Sequence, residues 1–134
     1  MKNILVNLSF KTKDNQLTGL FGEKAQKIAQ MMKKDKSSKD KDMETSTTQF
    51  RKFYEKVLEL NNKAISLDQS KFDTNIKPFV MMLNSKVQYS HTRDNCGKNF
   101  VELMESSIKA VNSVEELQNF KYFLESIIGF MPKK

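Results

Sequence analysis

The spacing of apolar residues along the chain predicts a series of amphipathic helices. Across Ser46–Ile65, the clearest stretch, apolar side chains recur every three or four positions, as on one face of an α-helix, and the other face is net basic. Four further stretches repeat this spacing: Leu17–Met32, Lys77–Leu83, Gly97–Val111 and Val114–Ile128. The sequence therefore predicts an all-α fold, a compact helical bundle of about five helices.

Side chains at two of the predicted helix starts have the spacing of a capping box. Ser46 is followed three residues later by Gln49, and Ser113 by Glu116. In this motif the hydroxyl accepts a hydrogen bond from a first-turn amide, and the longer side chain reaches back to the first residue of the motif. We therefore expect both helices to begin at these serines.

The two helices between these starts are expected to begin differently. Asp94 or Asn95 is predicted to cap the helix that starts at Gly97, because short polar side chains accept hydrogen bonds from first-turn amides. Pro78 is tolerated in the first turn of the preceding helix, where a missing amide hydrogen costs nothing. The buried side of that helix is predicted to consist of Phe79, Val80, Met82 and Leu83.

Residues 1–45 have a weaker pattern and are predicted to form a variable N-terminal arm with one helix. Met1–Lys13 alternates as a short strand would, but no partner strand is evident, so an extended or mobile segment is expected. Lys33–Thr45 has five lysines against four acidic residues, and we expect it to be a flexible, solvated linker. The helical bundle domain is then residues 46–134.

The net charge of +7 is unevenly distributed, with a positive central segment and a nearly neutral C-terminal part. Nine basic and five acidic residues lie between Ser46 and Lys98, whereas the rest of the chain beyond Lys98 has four basic and five acidic residues. A localised positive charge is compatible with a nucleic acid or an acidic membrane surface as partner. No apolar run approaches the ~20 residues that span a bilayer, and no secretory cleavage site is apparent, so we predict a soluble cytoplasmic protein without membrane contact.

Residues with catalytic or metal-binding chemistry are sparse. The chain has one histidine, His91, and one cysteine, Cys96, which excludes a disulfide framework and a multi-cysteine metal site. His91, Asp94 and Cys96 do not match a known spacing of metal ligands. Gly19 and Gly22 lack the Lys-Ser/Thr of a phosphate-binding loop. The sequence therefore predicts no enzyme, no metal and no cofactor.

Three segments, in this order, resemble the small subunit of the type III-A CRISPR effector, the Csm complex. The first is TTQFRKFYEKV at Thr47–Val57, which is similar to the Thr-Thr/Ser-x-hydrophobic-Arg-Lys-hydrophobic helix start of that family. The second is KVQYSHTR at Lys86–Arg93, and the third is the aromatic-rich FKYFLESIIGFM at Phe120–Met131. No part of Met1–Thr45 takes part in this resemblance.

The resemblance implies a non-catalytic, all-helical subunit of an RNA-guided interference complex. Subunits of this family stack with copies of themselves, assemble with other Csm subunits, and contact the backbone of crRNA and target RNA. In this chain the candidate RNA contacts are Arg51, Lys52, Lys56, Lys86, Arg93 and Lys98. Tyr89 is four residues before Arg93, on the same helix face. We expect its ring to pack against Phe or Met neighbours, and stacking on a base or ribose is the alternative.

Other interpretations of the same residues remain open. The basic residues could form a solvated helix face with ion pairs such as Arg51–Glu55 and Glu59–Lys63. In that case the protein could be a helical protein–protein adaptor whose final helix docks a partner and whose charge serves solubility. A small ribonuclease toxin ranks last, because Arg93 follows His91 and the spacing is unsuitable.

Overall fold

The computed structural model describes residues 1–132 and is built almost entirely from helices, as predicted. A 3₁₀ turn at Thr12–Asp14 precedes a helical stretch made of α1 (Leu17–Gly19), a π-helical turn (Leu20–Lys24) and α2 (Ala25–Lys33). A two-stranded antiparallel hairpin follows, with β1 at Asp35–Lys36 and β2 at Asp42–Met43. The remaining helices are α3 (Thr47–Ala64), α4 (Gln69–Asn75), α5 (Lys77–Thr92), α6 (Lys98–Lys109) and α7 (Val114–Gly129). The all-α prediction is confirmed.

The start of α3 uses half of the predicted capping box. Ser46 Oγ accepts a hydrogen bond from the Gln49 amide at 3.2 Å. Gln49 does not reach back, and its buried Oε1 has no hydrogen-bond partner among residues 1–132. The apolar face of α3, with Phe50, Phe53 and Val57, is buried as the spacing predicts.

Helix α7 lies at the centre of the molecule and packs against α2 and α3. Its apolar arc is wide because it is covered from several sides, in part by the first residues of the chain. Phe10 is fully buried, with its ring centroid 5.5 Å from that of Phe120 and 5.7 Å from that of Phe123. The Phe10 carbonyl also accepts a hydrogen bond from Asn119 Nδ2 at 2.8 Å. Met1–Phe10 therefore forms turns that end in the common core, and no strand.

The charged segment at residues 33–45 is not the solvated linker that its composition predicts. Asp35 is 1% exposed and Thr45 is fully buried. Asp35 accepts hydrogen bonds from Thr45 Oγ1 at 2.8 Å, the Asn99 amide at 2.7 Å and the Phe100 amide at 3.4 Å. The number of charged residues in a segment does not show whether one of them caps a helix elsewhere in the chain. Here a single carboxylate, that of Asp35, accepts hydrogen bonds from unpaired amides at a helix start and thereby orders the segment.

These donors belong to α6, whose predicted cap is wrong. Neither Asp94 nor Asn95 caps the helix; Asp94 has a left-handed backbone, with φ of 58°, and accepts a hydrogen bond from Ser38 Oγ at 3.0 Å. Gly97 occupies the N-cap position of α6, and its amide donates to Thr45 Oγ1 at 2.8 Å. A Cβ at Gly97 would lie 2.0 Å from the carboxyl carbon of Asp35, so a side chain has no room there.

Helix α5 is longer than predicted and buries less of its apolar surface. Pro78 lies in the first turn, as expected, and the helix continues to Thr92. Val80 and Leu83 are buried, but Phe79 is 52% and Met82 is 49% exposed, so the prediction that both are core residues is wrong. The reason is that α5 packs through a narrow side against α6 and α3, which leaves neighbouring positions facing solvent.

None of the helices within residues 1–132 has both the length and the apolar composition that a membrane-spanning helix needs.

Candidate nucleic-acid interface

Helices α3 and α5 enclose an open groove on the surface of the molecule. Two adjoining depressions form it, and Lys56 and Lys86 line both of them. The first depression is also lined by Lys52, Phe53, Tyr89, Ser90 and Asn95. The second is also lined by Glu59, Leu60, Lys63, Asn75, Ile76, Phe79, Met82 and Leu83. We call the two together the α3–α5 groove.

The basic side chains of the groove share one side because of helical spacing. Lys52, Lys56 and Lys63 are separated by four and seven residues, which aligns them along one edge of α3. Lys86 extends from α5 on the opposite edge. All four side chains are exposed, and Glu59 is the acidic residue among those that line the groove. The groove is therefore a positively charged concave surface.

The lysines of the groove have no ion-pair partners in residues 1–132. The ion pairs in this part of the chain involve Lys27, Lys36 and Lys98. The pairs Arg51–Glu55 and Glu59–Lys63, which the alternative interpretation required, are not among them. Unpaired ammonium groups attract anions more strongly than paired ones, because no internal carboxylate has to be displaced first.

An aromatic side chain lies at one end of the groove. Tyr89 is 60% exposed, so the prediction that it packs against Phe or Met neighbours is wrong. The guanidinium carbon of Arg93 lies 3.5 Å from the centre of the Tyr89 ring, in a cation–π contact. The predicted placement of these two residues on one helix face is confirmed. Arg93 directly follows α5, where the helix dipole favours a positive charge.

Three of the six candidate residues do not line the groove: Arg93, which meets it through Tyr89, and Lys98 and Arg51. Lys98 Nζ is 2.9 Å from Asp40 Oδ1, and this hydrogen bond holds the pKa of the Asp40 carboxyl below its usual value. Arg51 is exposed on α3 but lies on a different side of the helix from Lys52. The structure thus brings together Lys52, Lys56, Lys86 and, through Tyr89, Arg93. Lys63 was missed, although its spacing from Lys56 was visible in the sequence.

Tyr54, another residue of α3, links this helix to α7. Its hydroxyl donates to Glu125 Oε2 at 2.7 Å. Burial of the ring, followed by this hydrogen bond to the carboxylate, raises the pKa of Tyr54 to about 12. The phenol therefore stays protonated at neutral pH and serves as a structural contact between the two helices.

The residues with catalytic potential are engaged in packing. His91 Nδ1 donates to the Cys96 carbonyl oxygen at 2.8 Å, so the ring contacts the backbone of Cys96. Cys96 is fully buried, and loss of solvation raises the pKa of its thiol to about 11. A thiol with this pKa is protonated at neutral pH and is a poor nucleophile. Within residues 1–132 no group of histidine, cysteine and acidic side chains is arranged to hold a metal ion.

Comparison with known proteins supports the resemblance and extends it. The family model for Csm2 Type III-A matches residues 15–131, which is most of the chain. The match includes residues 15–45, so the expectation that nothing before residue 46 belongs to the resemblance is wrong. Comparison with curated proteins and with solved structures gives no match. The chain belongs to the Csm2 Type III-A family, and is thus a small subunit of the type III-A CRISPR complex.

Proposed function

We propose that the protein is a non-catalytic subunit that holds RNA in the α3–α5 groove of the assembled complex. The RNA partners are the crRNA and the target RNA, contacted through their sugar-phosphate backbones. The observation that supports this is the grouping of Lys52, Lys56 and Lys86 in one exposed concave surface, without ion-pair partners in residues 1–132.

Binding is driven by neutralisation of phosphates. Each ammonium group that approaches a phosphate releases counterions from the RNA, so affinity falls steeply as salt rises. Lysine side chains are flexible point charges and do not select one base edge, so the groove binds RNA with little dependence on sequence. A guide-dependent complex needs this property, because its sequence specificity comes from base pairing between the two RNA strands.

The three remaining candidate residues contribute in different ways. Arg93 acts at the end of the groove through its contact with Tyr89. Arg51 and Lys98 lie on separate surfaces and are proposed as additional, independent contacts. Since Lys98 is already paired with Asp40, its contribution is expected to be the smaller of the two.

A non-catalytic role agrees with the state of the two reactive side chains. The Cys96 thiol is buried and protonated, and the His91 ring is bonded to a backbone carbonyl. Neither group lines the α3–α5 groove. RNA held there is consequently out of contact with both of these reactive groups.

The triple variant Lys52→Gln, Lys56→Gln, Lys86→Gln tests the proposal in a reconstituted type III-A complex. We expect the slope of log affinity for RNA against log salt concentration to become shallower by about 2, because about 0.7 of a counterion is released for each single-strand phosphate contact. The matched control is Lys13→Gln, Lys33→Gln, Lys109→Gln, which removes the same charge from exposed positions outside the groove. The control should leave the slope nearly unchanged.

The same experiment separates RNA contact from the adaptor alternative. If the groove variant assembles into the complex and binds RNA with the original salt dependence, the proposal is wrong and the adaptor interpretation gains support. If both triple variants weaken binding equally, net charge matters and the groove does not. Incorporation of each variant is measured by gel filtration of the complex.

A second role, contact with neighbouring subunits, is favoured by the exposed apolar residues at the start of α5. Phe79, Met81 and Met82 are each 46–52% exposed, and Phe79 and Met82, three residues apart on α5, both line the second depression of the groove. Clusters of this kind on soluble proteins mark protein contacts. We propose that they take part in the stacking of this subunit against a further copy or another Csm subunit.

A further inference from the structure

Tyr89 is unusual in that a large ring is left in solvent although its other features indicate a fixed position. The side chain is 60% exposed, and the Arg93 guanidinium covers one face of the ring at 3.5 Å from its centre. The main chain is held as well, because Tyr89 lies within α5 between the buried residues Val87 and Ser90. Cation–π contact orients the ring and leaves its other face without a covering guanidinium.

The location of this ring matters as much as its exposure. Tyr89 lines the same depression as Lys52, Lys56 and Lys86. An RNA strand whose phosphates follow these lysines carries its bases within reach of the ring. Alternation of cationic groups with exposed aromatic rings is the arrangement by which proteins hold single-stranded nucleic acid.

We propose that Tyr89, backed by Arg93, is a stacking platform for one unpaired nucleobase of the RNA strand held in the α3–α5 groove. This inference rests on the proposed function and adds to it a preference for unpaired nucleotides. In a duplex, both faces of an internal base are already stacked, so the platform accepts a base from a single strand, from a strand end or from an extruded nucleotide. Every base has a π-face, so the contact is tolerant of sequence.

The Arg93 contact makes the platform more effective. A ring that is already oriented loses less conformational freedom when a base stacks on it than a ring that rotates freely. The guanidinium adds a positive charge beside the site at which the nucleotide's phosphate arrives. The stack of guanidinium, phenol ring and base is thereby continuous.

The test uses the full chain and two fluorescent RNA oligomers of equal length and charge at low salt. One is a single-stranded oligouridine, and the other has an abasic site at every position. We expect the chain to bind the base-bearing RNA roughly five- to hundredfold more tightly in anisotropy titrations, as measured for stacking of single bases on aromatic side chains. Tyr89→Leu should abolish this preference, and Tyr89→Phe should preserve it.

A matched control exists on α7, where Lys121 Nζ lies 4.1 Å from the centre of the Tyr122 ring. Tyr122 is also exposed but lies outside the α3–α5 groove, so Tyr122→Leu should retain the preference for base-bearing RNA. If the chain binds both oligomers alike, or if Tyr89→Leu keeps the preference, the platform is wrong. If Tyr89 instead packs against a protein partner, the chain should bind the base-bearing and the abasic oligomer alike.

Failure of the platform and failure of the proposed function give different results. The triple lysine variant should weaken binding of base-bearing and abasic RNA by the same factor, because it removes phosphate contacts alone. Abasic binding that depends on these lysines, without any effect of Tyr89, leaves the proposed function standing and removes the platform. Absence of binding to either RNA at low salt removes the platform, whereas the proposed function is decided separately by the salt slopes of the assembled complex and its triple lysine variant.

Discussion

Helices α6 and α7 follow each other in the chain but begin in contrasting ways. α7 is capped locally: Ser113 Oγ accepts from the Glu116 amide at 3.2 Å, and Glu116 Oε1 accepts from the Asn112 amide at 2.9 Å. α6 is capped by Asp35, from the hairpin, which reaches the Asn99 amide 64 residues away. Local caps are encoded in a few consecutive residues, whereas the α6 cap requires two distant segments to meet.

This difference has an energetic consequence. In the cap of α7 Ser113 is half-buried and Glu116 is buried, so water has access to the bond made by the serine. The cap of α6 is a buried carboxylate that joins the hairpin, Thr45 and the helix start, and water has no access to the donors if it is removed. The remote cap is therefore expected to contribute more to stability than the local one.

Among the substitutions that test this contrast, Asp35→Ala should lower the free energy of unfolding the most. The substitution removes the acceptor of four donors, the Thr45 hydroxyl and the amides of Lys36, Asn99 and Phe100, and we expect it to lower the free energy of unfolding by about 3 kcal/mol. Urea denaturation followed by circular dichroism measures it. The control is Asp42→Ala in the same hairpin, which removes an exposed, solvent-screened ion pair with Lys36 and should change stability far less. Equal losses for the two would show that the buried cap has no special weight.

Ser113→Ala should have a smaller effect, of about 1 kcal/mol. The Glu116 amide loses its acceptor, but Glu116 still accepts from the Asn112 amide and remains in place. The same denaturation experiment applies, with Ser106→Ala, inside α6, as a control that should change stability by a few tenths of a kcal/mol. A loss as large as that of Asp35→Ala would make the two helix starts equivalent and remove the contrast.

Glu115→Gln should have the smallest effect and a distinctive pH dependence. The Thr12 amide donates to Glu115 Oε2 at 2.8 Å, and this bond holds the pKa of Glu115 below its usual value. A lowered pKa in the folded state contributes stability above the unfolded pKa, and that stability is lost as pH falls through the folded value. Because the carboxylate is exposed, the contribution at pH 7 is expected to be below about 0.5 kcal/mol.

Denaturation midpoints of wild type and Glu115→Gln, measured at a series of pH values from about 7 down to about 3, report the effect. The difference in stability between the two proteins should shrink as the pH is lowered from about 5 to about 3. A difference that stays constant over this range would show that the Glu115 charge is not involved.

The same distinction between local and remote information separates what the sequence predicted from what it did not. The helix predicted at Ser46–Ile65 is α3 at Thr47–Ala64, and the one predicted at Val114–Ile128 is α7 at Val114–Gly129. Both have their apolar stripe and their capping serine within the same stretch of chain. The hairpin was missed because its stability depends on Asp35 meeting α6, and nothing near Asp35 in the sequence encodes this contact.

The candidate interface follows the same rule. The pairing of Tyr89 with Arg93 depends on helical spacing alone and was predictable. The grouping of Lys52 and Lys56 with Lys86 depends on how α3 and α5 pack, which the pattern of either helix leaves undetermined. Phe79 was predicted to be buried but is exposed for a related reason. The apolar stripe of a helix does not determine how much of that stripe a neighbouring helix covers.

The burial of Phe10 between Phe120 and Phe123 decides how short a working version of the protein can be. A chain cut before residue 46 would expose both aromatic rings of α7 to water and would leave α6 without its carboxylate. We expect such a fragment to aggregate, because it presents a broad apolar surface that nothing in the remaining chain covers. The segment from the buried Leu5 to Thr45 thus belongs to the minimal folding unit, and any trimming for expression should stop before Leu5.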